Sequence, residues 1–307
     1  MSLRFKDIHG FDTIFHKPGN FTDACRDLSK GLKLGFTECQ HSTEFSHTMR
    51  SLGVLEFDTK LSSAGLVYAF FGKRLIGALT GLDAGGDGSR IDLLFHKVYE
   101  QFVEEIDAVD NGISQTDGLP RYAITTTLSH RVAHLNPAWN EKNVNEQERF
   151  QSAMELVGDE LTGRVRYYND NWLAARNTVK AAVENRLQED ESGQILSLDQ
   201  GGLPWKDHLF SLESELPNDS PKVTYVLFPD QNGNWRVQCV PVSKLEPFSS
   251  RLPLPDSWRG LRDQVLSEES GIDGTIFCHT TGFIGGNLTK QGALAMARKS
   301  LEMQQKR

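Results

Sequence analysis

Apolar residues recur at helical spacing along one stretch of this chain. Ile91, Leu94, Phe95, Val98, Phe102, Ile106 and Val109 fall on one face. The pattern predicts a long amphipathic helix over 91–112, stopped by Asn111-Gly112. Residues 59–79 predict a second helix with Thr59 as its N-cap. Its small residues Ser62, Ser63, Ala64 and Gly65 would let a neighbour approach closely. Between the two, the glycine-rich run DAGGDGSR (83–90) lacks a phosphate-loop pattern and reads as a connector. Over 146–189, Phe150, Met154, Val157, Leu161, Val165 and Tyr168 step as a helix. Trp172, Val179 and Val183 continue the pattern beyond Asn169-Asp170-Asn171, which gives one or two long helices.

The periodicity changes after residue 190. The acidic, glycine-bearing stretch 190–203 reads as a boundary. KVTYVLF (222–228) and WRVQCVP (235–241) then read as strands. The Asn232-Gly233 turn between them is a strong hairpin signal. Residues 275–279 read as a buried strand, 280–287 as a glycine-rich loop, and 288–304 as a helix with Ala293, Leu294, Ala297 and Leu301 on one side. Such a unit aims backbone N–H groups and the helix dipole at one place, which suits an anion.

Composition narrows the class. The 307 residues, 38% hydrophobic with 9% aromatic, can build two ordinary domains with real cores. Mean hydropathy is −0.42, and no run of about 18 apolar residues is present to span a membrane. A net charge of −8 excludes a protein coated in positive charge, but not a local basic cleft. The four cysteines, Cys25, Cys39, Cys239 and Cys278, form no CxxC pair, which argues against a zinc knuckle or a thioredoxin-like site. Their scatter suggests reduced thiols in a cytosolic, nuclear or matrix compartment. The start has no apolar signal region, and Asp7 and Asp12 argue against a transit peptide.

Three places offer chemistry. Asp107 and Asp110 both sit in the last turn of the 91–112 helix, where the dipole disfavours a carboxylate by about 0.3–1 kcal/mol. A nearby cation such as a metal would explain them; so would exposure to water or pairing with a lysine. His130 and His134 share a helical face, and His9, His16, His41 and His47 crowd the first fifty residues. No HExxH spacing occurs among them, and ordinary surface histidines are the simpler reading. Residues 250–263 gather Arg251, Arg259 and Arg262 around Trp258. Guanidinium groups grip phosphate and an aromatic can stack on a base, although a surface loop entering a helix would look the same.

Several long runs carry a family resemblance. They are TKLSSAGLVY, YEQFVEEIDAVDNGISQ and PRYAITTTLSHRVAHLNPAWN, then LPWKDHL, WRVQCVP, SRLPLPDSWRGLRD and HTTGFIGGNLTKQGALAMA. Through them the sequence resembles the melanocyte-proliferating-gene branch of the DHH-type phosphoesterases, across residues 44–301. The resemblance implies an α/β fold with a larger metal domain over 44–195, its parallel sheet incomplete here. A smaller α/β substrate-binding domain would follow over 196–307, and residues 1–43 would be a divergent or truncated segment. It also implies metal-dependent phosphodiester hydrolysis of the kind performed by 3′–5′ RNA exonucleases, with Mn²⁺ or Mg²⁺ lowering the pKa of a bridging water. Asp110 matches a metal-bridging aspartate, Asp107 stands second, and His41 is a possible third ligand. Arg251, Arg259, Arg262, His279, Gly282, Gly285 and Gly286 would hold the phosphates of RNA or a short oligonucleotide. The compartments implied are the nucleus and the mitochondrion, with the cytoplasm open, and no membrane is involved.

The first forty residues depart from that pattern. Phe15-His16 is followed by Lys17-Pro18-Gly19 rather than by acids. Cys39-Gln40-His41-Ser42-Thr43 stands where an Asp-His-His triplet is expected. One matched aspartate and one histidine do not hold two divalent ions. Two expectations follow. One is a hydrolase whose first segment is truncated, misjoined or alternative. The other is a nucleotide- or RNA-binding or regulatory protein that has lost most metal ligands and, with them, catalysis.

Overall fold

The computed structural model describes residues 47–305. The chain forms two compact units, parting between Asp170 and Asn171. Residues 190–203 run from the end of a helix through the first strand. Among the described residues, no helix is long and apolar enough to cross a membrane.

The described part of the first unit is helical, apart from an isolated bridge between Thr48 and Lys60. Helix α1 spans Ser63–Thr80. Its N-cap is Ser62 rather than Thr59, because the Ser62 hydroxyl accepts the Gly65 N–H at 3.2 Å while Thr59 donates to Glu104 Oε1 at 2.8 Å. Gly81, at φ 75°, closes the helix in the left-handed conformation. Helix α2 (Gly88–Val98) runs into a π-helical segment, Tyr99–Val103, and on into α3 (Glu104–Asp110). Short α4 (Leu128–Ala133) and long α5 (Glu146–Tyr167) follow. Asn145 caps α5 by accepting from Glu148 N at 3.3 Å. A second π segment, Tyr168–Leu173, covers the Asn169-Asp170-Asn171 break.

The first π segment alters which residues face inward. Ile91, Leu94, Phe95, Val98 and Phe102 are buried as the periodicity requires. The wider π turn then retards the helical phase. The buried row continues through Tyr99, Val103 and Asp107, and Val109 is left half exposed. The core of this unit is aromatic where α1 meets α2: Tyr68 stacks on Phe95 with ring centroids 4.8 Å apart.

The described sheet lies in the second unit. After α6 (Ala174–Glu184) and α7 (Arg186–Glu189) come β1 (Ile195–Ser197), α8 (Trp205–Glu215), β2 (Tyr225–Pro229) and β3 (Trp235–Cys239). A 3₁₀ turn at Asp256–Trp258, α9 (Asp263–Ser270), β4 (Thr275–Cys278), β5 (Ile284–Asn287) and α10 (Lys290–Gln305) complete it. The strand order is β1-β2-β3-β5-β4. Only β1 and β2 run parallel, so the described sheet is mixed and the described fold is α/β. The 222–241 hairpin forms as expected, with Asp230 Oδ1 taking the Asn232 and Asn234 N–H groups and Gly233 at φ 81°.

Both faces of β1 and β2 are covered. Tyr225, Leu227 and Val237 point to a core shared with Leu266 of α9 and Met296 and Ala297 of α10. Val226 points the other way, to Val179 and Val183 of α6 and Trp205 and Leu209 of α8. The period of two along each strand produces this division. Trp258, read from the sequence as a surface residue of either a nucleotide site or an ordinary loop, is 1% exposed and belongs to the first of these cores.

Candidate functional site

The acidic helix end separates its two aspartates. Asp107 is fully buried. Its Oδ1 accepts from Ser62 N at 2.9 Å and Ser62 Oγ at 2.6 Å, and its Oδ2 accepts from Tyr99 OH at 3.0 Å. Burial pushes this carboxyl above the ordinary carboxylate range, against the pull of those donors. Burial, with the nearby carboxylate, also raises the Tyr99 phenol. Gly65 makes the approach possible, since a Cβ there would stand 2.3 Å from Asp107 Oδ1. The small residues Ser62–Gly65 were the sequence signal for a close neighbour; the neighbour is this carboxylate.

Asp110 lies one turn on, exposed, with no ion pair or side-chain hydrogen bond to a described residue. His41 lies outside the described residues. Metal ligation needs open lone pairs on several groups at once. Asp107 has both oxygens engaged by the fold, which leaves Asp110 as one outward carboxylate. Among the described residues, no group of three or more His, Cys, Asp or Glu side chains could hold a metal ion. The described residues therefore do not by themselves fit a two-metal centre. His130, on α4, and His134, just past its end, are exposed, and His130 Nδ1 is engaged with Thr127 Oγ1 at 2.7 Å.

The predicted phosphate-binding residues of the second unit also divide. Arg251 is largely buried in a bidentate pair with Glu213, at 2.8 Å and 2.7 Å, and donates to Val223 O at 2.6 Å. Nothing in the sequence pointed to Glu213, which is far along the chain. Arg259 donates to Leu254 O at 3.0 Å and pairs with Asp256 at 2.6 Å, keeping part of its guanidinium exposed. Arg262 is exposed, its guanidinium carbon 6.0 Å from the centre of the Phe277 ring. His279 is exposed at the start of the β4–β5 turn, where Nδ1 takes the Thr281 N–H at 3.2 Å and the ring meets Phe283 edge-on at 4.7 Å.

The glycines are not all in a loop. Gly285 and Gly286 belong to β5, so the unit is strand, tight turn, strand, then helix. Gly282 alone sits in the turn, at φ 72°. A Cβ there would come 2.7 Å from Arg259 Nε and 2.9 Å from Leu254 O. The start of α10 is already capped: Asn287 Oδ1 accepts from Thr289 N at 3.0 Å, and Thr289 Oγ1 accepts from Gly292 N at 3.0 Å. Burial pushes the Cys239 thiol up to about 12 and the Cys278 thiol to about 11, so neither is a poised nucleophile.

The family model MYG1_exonuc, described as an uncharacterised protein family (UPF0160), matches residues 40–301. The chain belongs to the MYG1 family. It is 53% identical over 265 residues to a mouse MYG1 relative named MYG1 exonuclease, covering 85% of this chain and 68% of that one. A human relative of the same name is 51% identical over 265 residues, covering 85% and 69%. A MYG1 protein of Caenorhabditis elegans is 51% identical over 264 residues, covering 86% and 77%. No solved structure matches the chain. The MYG1 match spans the acidic helix end, the arginine segment and the β4–β5 turn; it begins at residue 40, four residues before the expected start, and ends at the expected residue 301.

Proposed function

We propose that this chain is an exonuclease that hydrolyses phosphodiester bonds from the 3′ end of RNA or a short oligonucleotide. The observation that carries the reading is the 51–53% identity, along 85% of the chain, to MYG1 relatives whose names say exonuclease. The geometry is consistent with it. Asp110 offers an outward carboxylate from the end of α3, and Arg262 and His279 are exposed on the second unit, suited to phosphate. A DHH-type plan and a requirement for Mn²⁺ or Mg²⁺ belong to the same proposal and rest on the resemblance of the sequence runs. Asp110 is the donor the described fold leaves open, and His41 and further ligands would come from outside the described residues.

The test is a time course with a short single-stranded RNA, with and without Mn²⁺, for the chain and for Asp110→Ala. The expected result is stepwise shortening from the 3′ end that requires the metal ion and disappears in Asp110→Ala. Equal background rates in the two proteins would overturn the reading.

A further inference from the structure

A single row of side chains crosses the second unit's sheet. Phe228 of β2 pairs with Arg236 of β3, Arg236 with Gly286 of β5, and Gly286 with Phe277 of β4. Arg262 extends the row by an antiparallel bridge to Phe277. Directly paired residues share one face of a sheet. The row is therefore a strip of alternating aromatic and guanidinium groups with a glycine in the middle. The face is the one that α6 and α8 cover over β1 and β2, where Phe228 packs against their core; α9 and α10 occupy the opposite face. From Arg236 to Arg262 the strip lies beyond that core.

The glycine sets the spacing. A methyl group on Gly286 would stand 2.5 Å from Arg236 Nη1 and 2.9 Å from the Phe277 ring, so only glycine lets the two close over it. They meet with the guanidinium carbon 4.9 Å from the ring centre, within cation–π range. Arg236 is held in place by Asp230, Nη2 to Oδ2 at 2.6 Å, while its Nη1 is buried without a hydrogen-bond partner among the described residues. Although burial acts to raise the Asp230 carboxyl, the Asn232 and Asn234 N–H groups and Arg236 hold it below the usual range, so the anchor stays charged at neutral pH. Arg262, at the outer end, forms no ion pair with a described acid.

We propose that this strip is a stacking platform for the unpaired bases of a nucleic-acid strand. Rings and guanidinium planes accept the faces of any base, and Arg262 is free to meet a phosphate at the same time. The row carries two arginines against one acid, in a chain whose net charge is −8, so its charge complements a polyanion locally. A duplex hides its base faces, whereas a single strand presents them. The inference rests on the exonuclease reading and names its substrate class as a single-stranded end.

The experiment is fluorescence anisotropy with three probes. These are a short labelled single-stranded RNA, the same strand in a blunt duplex, and an equally long strand without bases. The chain should bind the first about tenfold or more tighter than the other two. Phe277→Ala should weaken single-strand binding about tenfold, with Phe277→Trp restoring it, and Gly286→Ala should weaken it similarly by forcing ring and guanidinium apart. If Phe277→Ala does not fold, the exposed Arg262→Ala carries the test, with an expected loss of about threefold to tenfold. Equal binding of the base-free strand overturns the platform, as does unchanged binding by whichever of these variants fold. The shortening assay on the same RNA separates the two proposals. Binding without shortening sinks the exonuclease and leaves the platform standing. Shortening with an unaltered KM in Phe277→Ala and Arg262→Ala does the reverse.

Discussion

Each described unit holds a carboxylate that the fold takes out of water, Asp107 in the first and Glu213 in the second, and these two are kept in different ways. In the first unit Asp107 is surrounded by neutral donors: a backbone N–H, a serine hydroxyl and a tyrosine hydroxyl. In the second, Glu213 is locked to a cation, Arg251, through two parallel bonds. Each unit also leaves a similar residue facing out, Asp110 in one and Arg262 in the other. A charged side chain in a suggestive segment is thus of two kinds. The fold has already consumed Asp107 and Arg251 to tie together distant segments, whereas Asp110 and Arg262 remain available to a ligand.

The largest test of this contrast is Arg251→Ala. It strands a nearly buried Glu213 and should lower unfolding stability in urea by about 3 kcal/mol or more. A loss under about 1 kcal/mol would mean that the pair behaves as a solvated one. Asp107→Ala should cost about 2–3 kcal/mol, because the donors of Ser62 and Tyr99 lose their acceptor inside the core. Gly65→Ala should cost about 1–3 kcal/mol by overpacking against the same carboxylate. In the Asp107→Ala background that second cost should almost vanish, since the obstructing group is gone. Additive losses would show that Gly65 is needed for another reason.

The pH dependence gives a finer cut. Burial raises the Asp107 carboxyl in the folded state above its unfolded value, so the folded state binds the proton more tightly. The contribution of this group is therefore most favourable at low pH and declines as pH rises from about 4 through the raised value. Asp107→Asn, which keeps an acceptor for Ser62, should gain stability relative to the native chain across that window. A constant difference between the two proteins would mean that Asp107 titrates like an exposed acid. The smallest structural effect belongs to Asp110→Asn. Removing an exposed negative charge from a helix C-terminus should change stability by about 0.5 kcal/mol or less, in the stabilising direction, while 3′ shortening is lost. A marked fall in stability would move Asp110 into the same class as Asp107.

The sequence was most informative where local chemistry decides structure. The 222–241 hairpin was legible because Asn232-Gly233 and the flanking β-rich runs agree, and helix α1 was misplaced only at its cap. The family was legible in its long unusual runs, which the match over 40–301 repeats. What escaped was set by distant partners. Asp107 is three residues from Asp110 and of the same type, yet only the arrival of Ser62 and Tyr99 tells them apart. Trp258 looked like a surface residue because its neighbours are arginines, but β-sheet packing claims it for the core. The Arg236–Phe277 contact depends on strand order, since their strands are joined only through β5.

The π segment Tyr99–Val103 decides which side chain this helix buries after Phe102. There the Glu104 N–H bonds to the Tyr99 carbonyl, and Arg164 caps the Gln101 carbonyl at 2.9 Å. In genetic terms a π turn is a one-codon insertion carried inside an α-helix. Regular α-winding of the same residues, without the π turn, would rotate everything after it by about 100°. Asp107 would then leave its pocket and hydrophobic Ile106 would turn inward, whereas deleting the codon for Gln101 as well would bring Asp107 back to the inward face. The identity of the buried acid in this helix is thus fixed by a count of residues as much as by their type.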